Sequence, residues 1–374
     1  MEVLFLCEQG LKKTRDEEFG QSFAWDLPML EGYAARVLSI PDWNLKKPAT
    51  MRLRSPLLPV FRETGATHLW VEGWRFPAFW QAVRQAKRAG LKVWCRGESN
   101  DLSPEPTFPK NLIKSVLMGW FFRQVDAFLC IGEANRRLYR KYGVVEPKLH
   151  PAPYFVDNGR FSSEARSLWP ERGQIRKEWG IKPEAFVILY SGKFISKKRV
   201  MDVAKAFRKV CEAGEKECHL LLAGSGTLRS ELERELKGLP VTFAGFLNQG
   251  EIPRAYAASD VVVLASDWGE TWGLSANEAL ASGVAVILSD QCGCAEDLSS
   301  VTREVEVFKM GDVQELAELM GDGRWNMGDG EKARERRRAM MKVMTERFDA
   351  QNTILTVEKL LGRRRTPPPG EDRR

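Results

Sequence analysis

DVVVLASDWGETWGLSANEALASGVAVILSD, residues 260–290, reads as strand, loop, helix and strand in succession. Its two apolar runs, VVVLA and VAVILS, do not alternate with polar residues, the pattern of strands buried on both faces of a parallel sheet. Similar runs recur upstream at 185–191 (AFVILYS), 219–223 (HLLLA) and 241–244 (VTFA). An earlier series lies at 3–7 (VLFLC), 35–40 (ARVLSI), 67–71 (THLWV), 91–95 (LKVWC) and 125–131 (VDAFLCI). The expected fold class is therefore α/β, with two doubly wound, Rossmann-like domains in tandem, which suits a chain of 374 residues. HPAPYFVDNGRFSSEARSLWPERGQ, from His150, has the prolines, glycines and polar residues of a connection between them. The first domain is expected over residues 1–165 and the second over 166–344, with a helical segment at about 345–362 and a disordered, proline-rich tail at 363–374.

The opening stretch also carries two glutamates, Glu270 and Glu278. On one continuous helix a spacing of eight corresponds to a rise of roughly 12 Å and a turn of about 80° off the same face. Glycosidase carboxyl pairs stand about 5 to 9.5 Å apart, so these two do not suit such a dyad and fit the two ends of a longer ligand instead. If the helix begins near Gly273, the amides of Gly273, Leu274 and Ser275 face the middle of that ligand, where the helix dipole favours phosphate. Glu278 then accepts hydrogen bonds from vicinal hydroxyls such as those of a ribose. A competing reading stays open: Ser275 and Glu278 also match a capping box, in which Glu278 only closes the helix start.

Other strand ends add cations and glycines. GKFISKKR follows AFVILYS and supplies Gly192, Lys193, Lys197, Lys198 and Arg199; GSG (Gly224 to Gly226) follows HLLLA and opens a helical stretch. GSG alone is a weak signal, since Leu228 and Arg229 break any G-x-G-x-x-G. Cations and glycines converging on one sheet edge point to an anionic ligand, most simply a diphosphate.

Composition narrows the classes. No run approaches the length of a membrane span, and Met1 leads straight into VLFLC instead of a basic region and cleavage site, so a cytoplasmic location is expected. The seven cysteines read as free thiols of a reducing compartment, and neither the CGC at 292–294 nor the three scattered histidines suggests a metal. Of the net charge of +7, residues 110–150 carry eight Lys and Arg against three Asp and Glu, and residues 331–374 carry thirteen against seven. Two readings remain for these basic segments: a surface facing anionic lipid or polyanionic glycan, or solvated helix faces. KNLIKSVLMGWFFR (110–123) likewise reads either as a membrane-contacting helix or as a core helix with solvated basic residues.

Together, SGKFISKKR (191–199), LLLAGSGTLRSEL (220–232), the run from Val241 to Asp290 and PYFVDNGRF (153–161) resemble family 4 of the retaining, nucleotide-sugar-dependent glycosyltransferases of the GT-B type. The resemblance covers residues 185–299 and, more faintly, most of the chain. It implies two domains facing across a cleft and transfer of a sugar, with retention, from a nucleoside diphosphate sugar to a glycan, lipid-linked or other hydroxyl acceptor. Neither a metal nor another cofactor is expected, nor is nucleic acid as a partner.

By the same resemblance, Lys193, where the family commonly has Arg, and Lys198 neutralise the diphosphate leaving group. Glu270 binds the donor sugar; Trp272, Gly273 and Leu274 form the phosphate-cradling turn; Glu278 takes the ribose; and Gly245 and Phe246 lie at the nucleobase. The first domain departs from the family, with single glycines at Gly10 and Gly20 where a doubled glycine is common. FAWDLPMLEGY (23–33) and CRGES (95–99) resemble a subset of members, which makes Asp26, Arg96 and Glu98 acceptor-side candidates, with ordinary loop ion pairing as the alternative. The C-terminal helix is expected to cross back to the first domain, placing the two basic segments together as one basic face beside the acceptor side of the cleft, where contact with the inner face of the membrane is one reading. Rival readings are a sugar-nucleotide epimerase or phosphorylase, which needs acid and base groups at the sugar, and a non-catalytic polyanion-binding protein.

Overall fold

A computed structural model describes residues 1–362 apart from 8–10, 17, 39, 41–46, 105–106, 215–216, 327 and 329. The expected tail at 363–374 and Gly10 lie outside the described residues. In the first domain the strands are β1 (Glu2–Phe5), β2 (Thr14–Asp16), β3 (Gln21–Phe23), β4 (Ala34–Val37), β5 (His68–Val71), β6 (Lys92–Cys95), β7 (Ala127–Cys130) and β8 (Leu149–Pro151). The second domain has β9 (Phe186–Ser191), β10 (Cys218–Ala223), β11 (Val241–Gly245), β12 (Val261–Leu264), β13 (Ala285–Ser289) and β14 (Val305–Phe308).

β9 to β14 form one parallel sheet in the order β11-β10-β9-β12-β13-β14. Both faces are covered, as the unalternated runs require. Val187, Leu189, Val262 and Leu288 pack towards the helices Asn158–Leu168, Ile252–Ala258 and Leu274–Ala281. Ile188, Tyr190, Val263 and Ile287 pack towards Val200–Ala213 and Val313–Gly321. In the first domain β5 to β8 form a parallel sheet in chain order, and β1 pairs in parallel with β4. β2 and β3 form an antiparallel hairpin inserted between β1 and β4.

Helix Glu331–Arg347 packs on Leu274–Ala281 and on Asn158–Leu168. The predicted helical stretch breaks at Phe348, where Asn158 Nδ2 donates to the carbonyls of Met344 (3.3 Å) and Phe348 (2.9 Å). Asp349 then caps a second helix, Ala350–Leu360, by accepting from the Gln351 amide. This helix lies on β8 of the first domain, with Thr356 Oγ1 donating to the Pro151 carbonyl at 2.7 Å.

One buried ion cluster sets the base of the second sheet. Asp260, just ahead of β12, accepts from Arg172 Nη2 at 2.6 Å, Arg176 Nη2 at 2.8 Å and the Val187 amide of β9 at 2.8 Å. All three side chains are buried. Removing one member of such a cluster strands the others out of water and costs about 3–5 kcal/mol. Asp260→Ala is therefore expected to lower the thermal midpoint by about 10 °C, measured by circular dichroism, with little change for Glu212→Ala, whose side chain is exposed.

Candidate active site

The strand order reverses between β9 and β12: the chain leaves β9 towards β10 and β11, then returns to start β12 on the other side. Ligands of open α/β sheets bind outside the carboxyl ends at such a reversal. The segments that emerge there are those carrying Gly192 to Lys198 and Glu270 to Gly273. Backbone bonds knit the first of them to its neighbours: Gly192 N to the Ala223 carbonyl at 2.9 Å, Phe194 N to that of Ser225 at 2.8 Å, and Gly224 N to that of Gly245 at 2.6 Å. A β-carbon on Gly224 would stand 1.9 Å from the Gly192 oxygen, and one on Gly226 would stand 2.6 Å from the Phe194 oxygen. The loops can approach this closely only because both positions are glycine.

Glu270 sits in the loop after β12. Its carboxylate takes the Lys198 ammonium in an ion pair and a hydrogen bond of 3.3 Å from Ser266 Oγ. The loop is held from the first domain by Asn100, whose amide reaches the carbonyls of Glu270 (3.4 Å) and Thr271 (3.5 Å). Trp272 is buried and donates from Nε1 to Asn277 Oδ1 at 2.9 Å, so its side chain props the turn from beneath. Gly273 follows at φ +109°, a left-handed conformation, and the helix Leu274–Ala281 starts there with no side-chain cap.

That geometry answers the capping-box question. Ser275 does not cap the helix, and the Glu278 carboxylate is engaged elsewhere, accepting from Tyr256 Oη at 2.7 Å and Gln249 Nε2 at 3.5 Å. Arg160 holds Gln249 in place through bonds of 2.9 Å to its carbonyl and 2.7 Å to its side-chain oxygen. Burial pushes the Glu278 carboxyl upward, against the lowering effect of the Tyr256 and Gln249 hydrogen bonds and the Arg160 charge.

Lys193 stands apart from Lys198. Its ammonium bonds Asp16 at 3.0 Å and Glu18 at 2.7 Å, both on the β2–β3 hairpin. Phe246, beyond Gly245 at the end of β11, packs against Phe19 and Phe23 of the same hairpin, with ring centroids 5.1 and 4.7 Å away. Of the acceptor-side candidates, Arg96 and Glu98 meet at Tyr154: the guanidinium lies 4.3 Å from the ring centroid, and the Tyr154 hydroxyl bonds Glu98. Asp26 does not join them, because its carboxylate accepts from the Gly250 amide of the second domain at 3.0 Å. Sequence reasoning missed Tyr256, Gln249, Arg160, Asn100, Asp16 and Glu18, all of which reach the site from distant segments.

Residues 171–322 match the model of the family described as glycosyl transferases group 1. The match lies within the second domain. Among curated relatives, the chain is similar to a GDP-mannose-dependent α-(1-6)-phosphatidylinositol dimannoside mannosyltransferase of Mycobacterium tuberculosis, 30% identical over 37% of this chain and 36% of that one. Similarity to a sulfoquinovosyl transferase of Arabidopsis thaliana is 29% over 52% of this chain and 39% of the relative. The matched part thus spans between a third and two fifths of these relatives' length. Over the whole fold, a glycosyltransferase from Rickettsia africae superposes with a TM-score of 0.66 at 15% identity, covering 88% of this chain and 84% of that one. Anabaena HepE in complex with UDP and glucose gives 0.64 at 17% identity, with 88% and 86% covered. The architecture is GT-B, two Rossmann-like domains.

On the other side of the second domain, Asp297 accepts from the Glu133 amide of the first domain at 3.1 Å, at the start of helix Glu133–Lys141. Burial raises its carboxyl from 3.8 to about 6, outweighing the Glu133 hydrogen bond. The folded state thus holds this proton more tightly than the unfolded chain, and the resulting stabilisation is complete below about pH 4 and lost by about pH 6. Asp297→Asn removes that titration while keeping an oxygen for the Glu133 amide. In thermal melts across this range, the midpoint of the variant minus that of wild type is expected to rise from pH 4 to pH 6.5.

Proposed function

We propose that the protein is a glycosyltransferase that moves a sugar, with retention, from a nucleoside diphosphate sugar to a hydroxyl acceptor, with no metal needed for transfer. The observation that carries this reading is the convergence, at the strand-order reversal, of Lys198 paired with Glu270, a helix start without a side-chain cap at Gly273, and Glu278 held by Tyr256 and Gln249. The relatives' names support the donor class, since one is GDP-mannose-dependent and one fold neighbour holds UDP and glucose.

In this reading the ribose hydroxyls donate to Glu278, the diphosphate lies over the amides following Gly273, and Glu270 orients the sugar. The bond between the anomeric carbon and the phosphate oxygen breaks, and negative charge grows on the β-phosphate. Lys198, Lys193 and the helix N-terminus stabilise it. The acceptor oxygen attacks the same face of the sugar and gives its proton to the departing phosphate. Arg96, Glu98 and Tyr154 flank the acceptor. Loss of one preorganised charge at a developing anion costs about 10²–10³ in kcat. Lys198→Ala should show that loss in turnover of UDP- and GDP-sugars, while turnover within a few-fold of wild type contradicts the mechanism.

The acceptor side is proposed to work at an anionic membrane. Helix Phe108–Arg123 buries Met118, Phe121 and Phe122 in the first domain but leaves Leu112, Ile113, Val116, Leu117 and Trp120 between 49% and 65% exposed, on one face. Trp120 borders a groove shared with Arg84, Lys87 and Arg88, so an apolar stripe lies beside cations, as an interfacial helix requires. No helix among the described residues is long and apolar enough to cross a membrane. Sedimentation with vesicles containing phosphatidylglycerol at low salt should retain the wild type and lose the Ile113→Asp/Val116→Asp variant. Equal retention of both excludes this surface.

A further inference from the structure

The β2–β3 hairpin belongs to the first domain in sequence but lies against the second. Its turn is closed internally: Asp16 Oδ1 accepts from the Glu18 and Phe19 amides at 2.8 and 3.0 Å, and Gly20 N donates to the Asp16 carbonyl at 2.9 Å. This turn presents the other Asp16 oxygen and the Glu18 carboxylate to Lys193, and Glu18 also lies 3.5 Å from Lys197. The Lys193 hydrogen bond is the chief reason the Glu18 carboxyl lies below its ordinary range. Ser225, inside the GSG turn, donates to the Phe19 carbonyl at 2.8 Å. Phe19 and Phe23 cover Phe246, and Lys193 stands 4.8 Å from the Phe19 ring centroid.

Two features of the hairpin therefore match two features of the ligand assigned to this edge. A pair of carboxylates stands on the lysine at the end of β9, and flat apolar rings stand on Phe246 at the end of β11. A nucleoside diphosphate offers the same chemistry, anionic oxygens at one end and a planar ring at the other. Both cannot hold Lys193 and Phe246 in this way at once. Resting on the donor-site reading above, we propose that the tip of the hairpin, through Asp16, Glu18, Phe19 and Phe23, is an internal occupant of the donor site that the nucleotide displaces.

An occupant of this kind raises the apparent Kd by the factor by which it depletes the open state. The ion pairs that hold the hairpin tip are half-buried at Asp16 and exposed at Glu18, so they hold it only moderately, and the displacement is reversible. The segment that follows stays tied to the second domain through Asn248, which donates to the Ala24 carbonyl at 3.0 Å, and through Asp26 on the Gly250 amide. The tip can then lift while its base remains attached.

The test is the full-length Asp16→Asn/Glu18→Gln variant, which keeps the oxygen that closes the turn, beside wild type and a charge-neutralising control, Glu31→Gln, whose exposed carboxylate lies in the same segment. Kd values for UDP and GDP are measured by calorimetry, together with trypsin cleavage at Lys12, Lys13 and Arg15. For the nucleotide that binds, the double variant should bind about three- to tenfold more tightly than wild type and the control. That nucleotide should also speed cleavage of wild type. An unchanged or weaker Kd in the double variant, or cleavage slowed by nucleotide, overturns the inference and makes the hairpin a wall of the site. If neither wild type nor variant binds either nucleotide, the donor-site reading fails and the inference falls with it.

Discussion

The close approach of backbones at the carboxyl edge of the second sheet is the constraint on which the rest depends. Gly224 lies so near Gly192 that no β-carbon fits between them, and Gly293 meets Thr271 in the same way, donating its amide to the Glu270 carbonyl at 3.2 Å. The first contact draws together the loops after β9 and β10 and the second those after β12 and β13, while the Asp267 amide donates to the Lys197 carbonyl at 2.9 Å, so that Lys198 reaches Glu270 across 72 positions of sequence. Side chains of any size would hold the loops apart, and the charges would then act separately in water, where each is worth little. Buried thiols flank Gly293, and burial pushes Cys292 up to about 12, so the CGC segment acts here as packing beneath a loop.

Sequence reading worked best where burial is uniform. β9, β10, β12 and β13 are enclosed on both faces, and their apolar runs declare this locally. β14 escaped notice because VEVF alternates: Glu306 is half-buried at the sheet edge and pairs with Arg324. β8 is only three residues long, and the polar strands TRD and QSF of the hairpin carry no hydrophobic period at all. The hairpin is held by partners in the second domain, which no local pattern encodes.

The candidate site divides in the same manner. Glu270, Gly273 and Glu278 share one short stretch, and their spacing already suggests a loop that becomes a helix. That Glu278 does not cap the helix was not legible, because Tyr256 and Gln249, which engage its carboxylate instead, lie 22 and 29 positions away. Lys193 and Lys198 look equivalent in GKFISKK, yet one faces the hairpin and the other Glu270. Between them, Tyr190 Oη donates to the Lys193 carbonyl at 2.8 Å and fixes where the loop turns. The two domains thus share this edge: the second supplies the loops, and the first supplies Asn100 and the hairpin.

The most direct measurement of the central claim is thermal unfolding against UDP, GDP, ADP and their sugar conjugates, for wild type and Glu278→Gln. Ligand at about 100 times its Kd adds roughly 2.7 kcal/mol, which is several degrees for domains of this size. A shift selective for one base that disappears in Glu278→Gln is the predicted result. A folded protein that no nucleotide stabilises contradicts the account, and leaves Glu278 as a buried partner of Tyr256 with no ligand of its own.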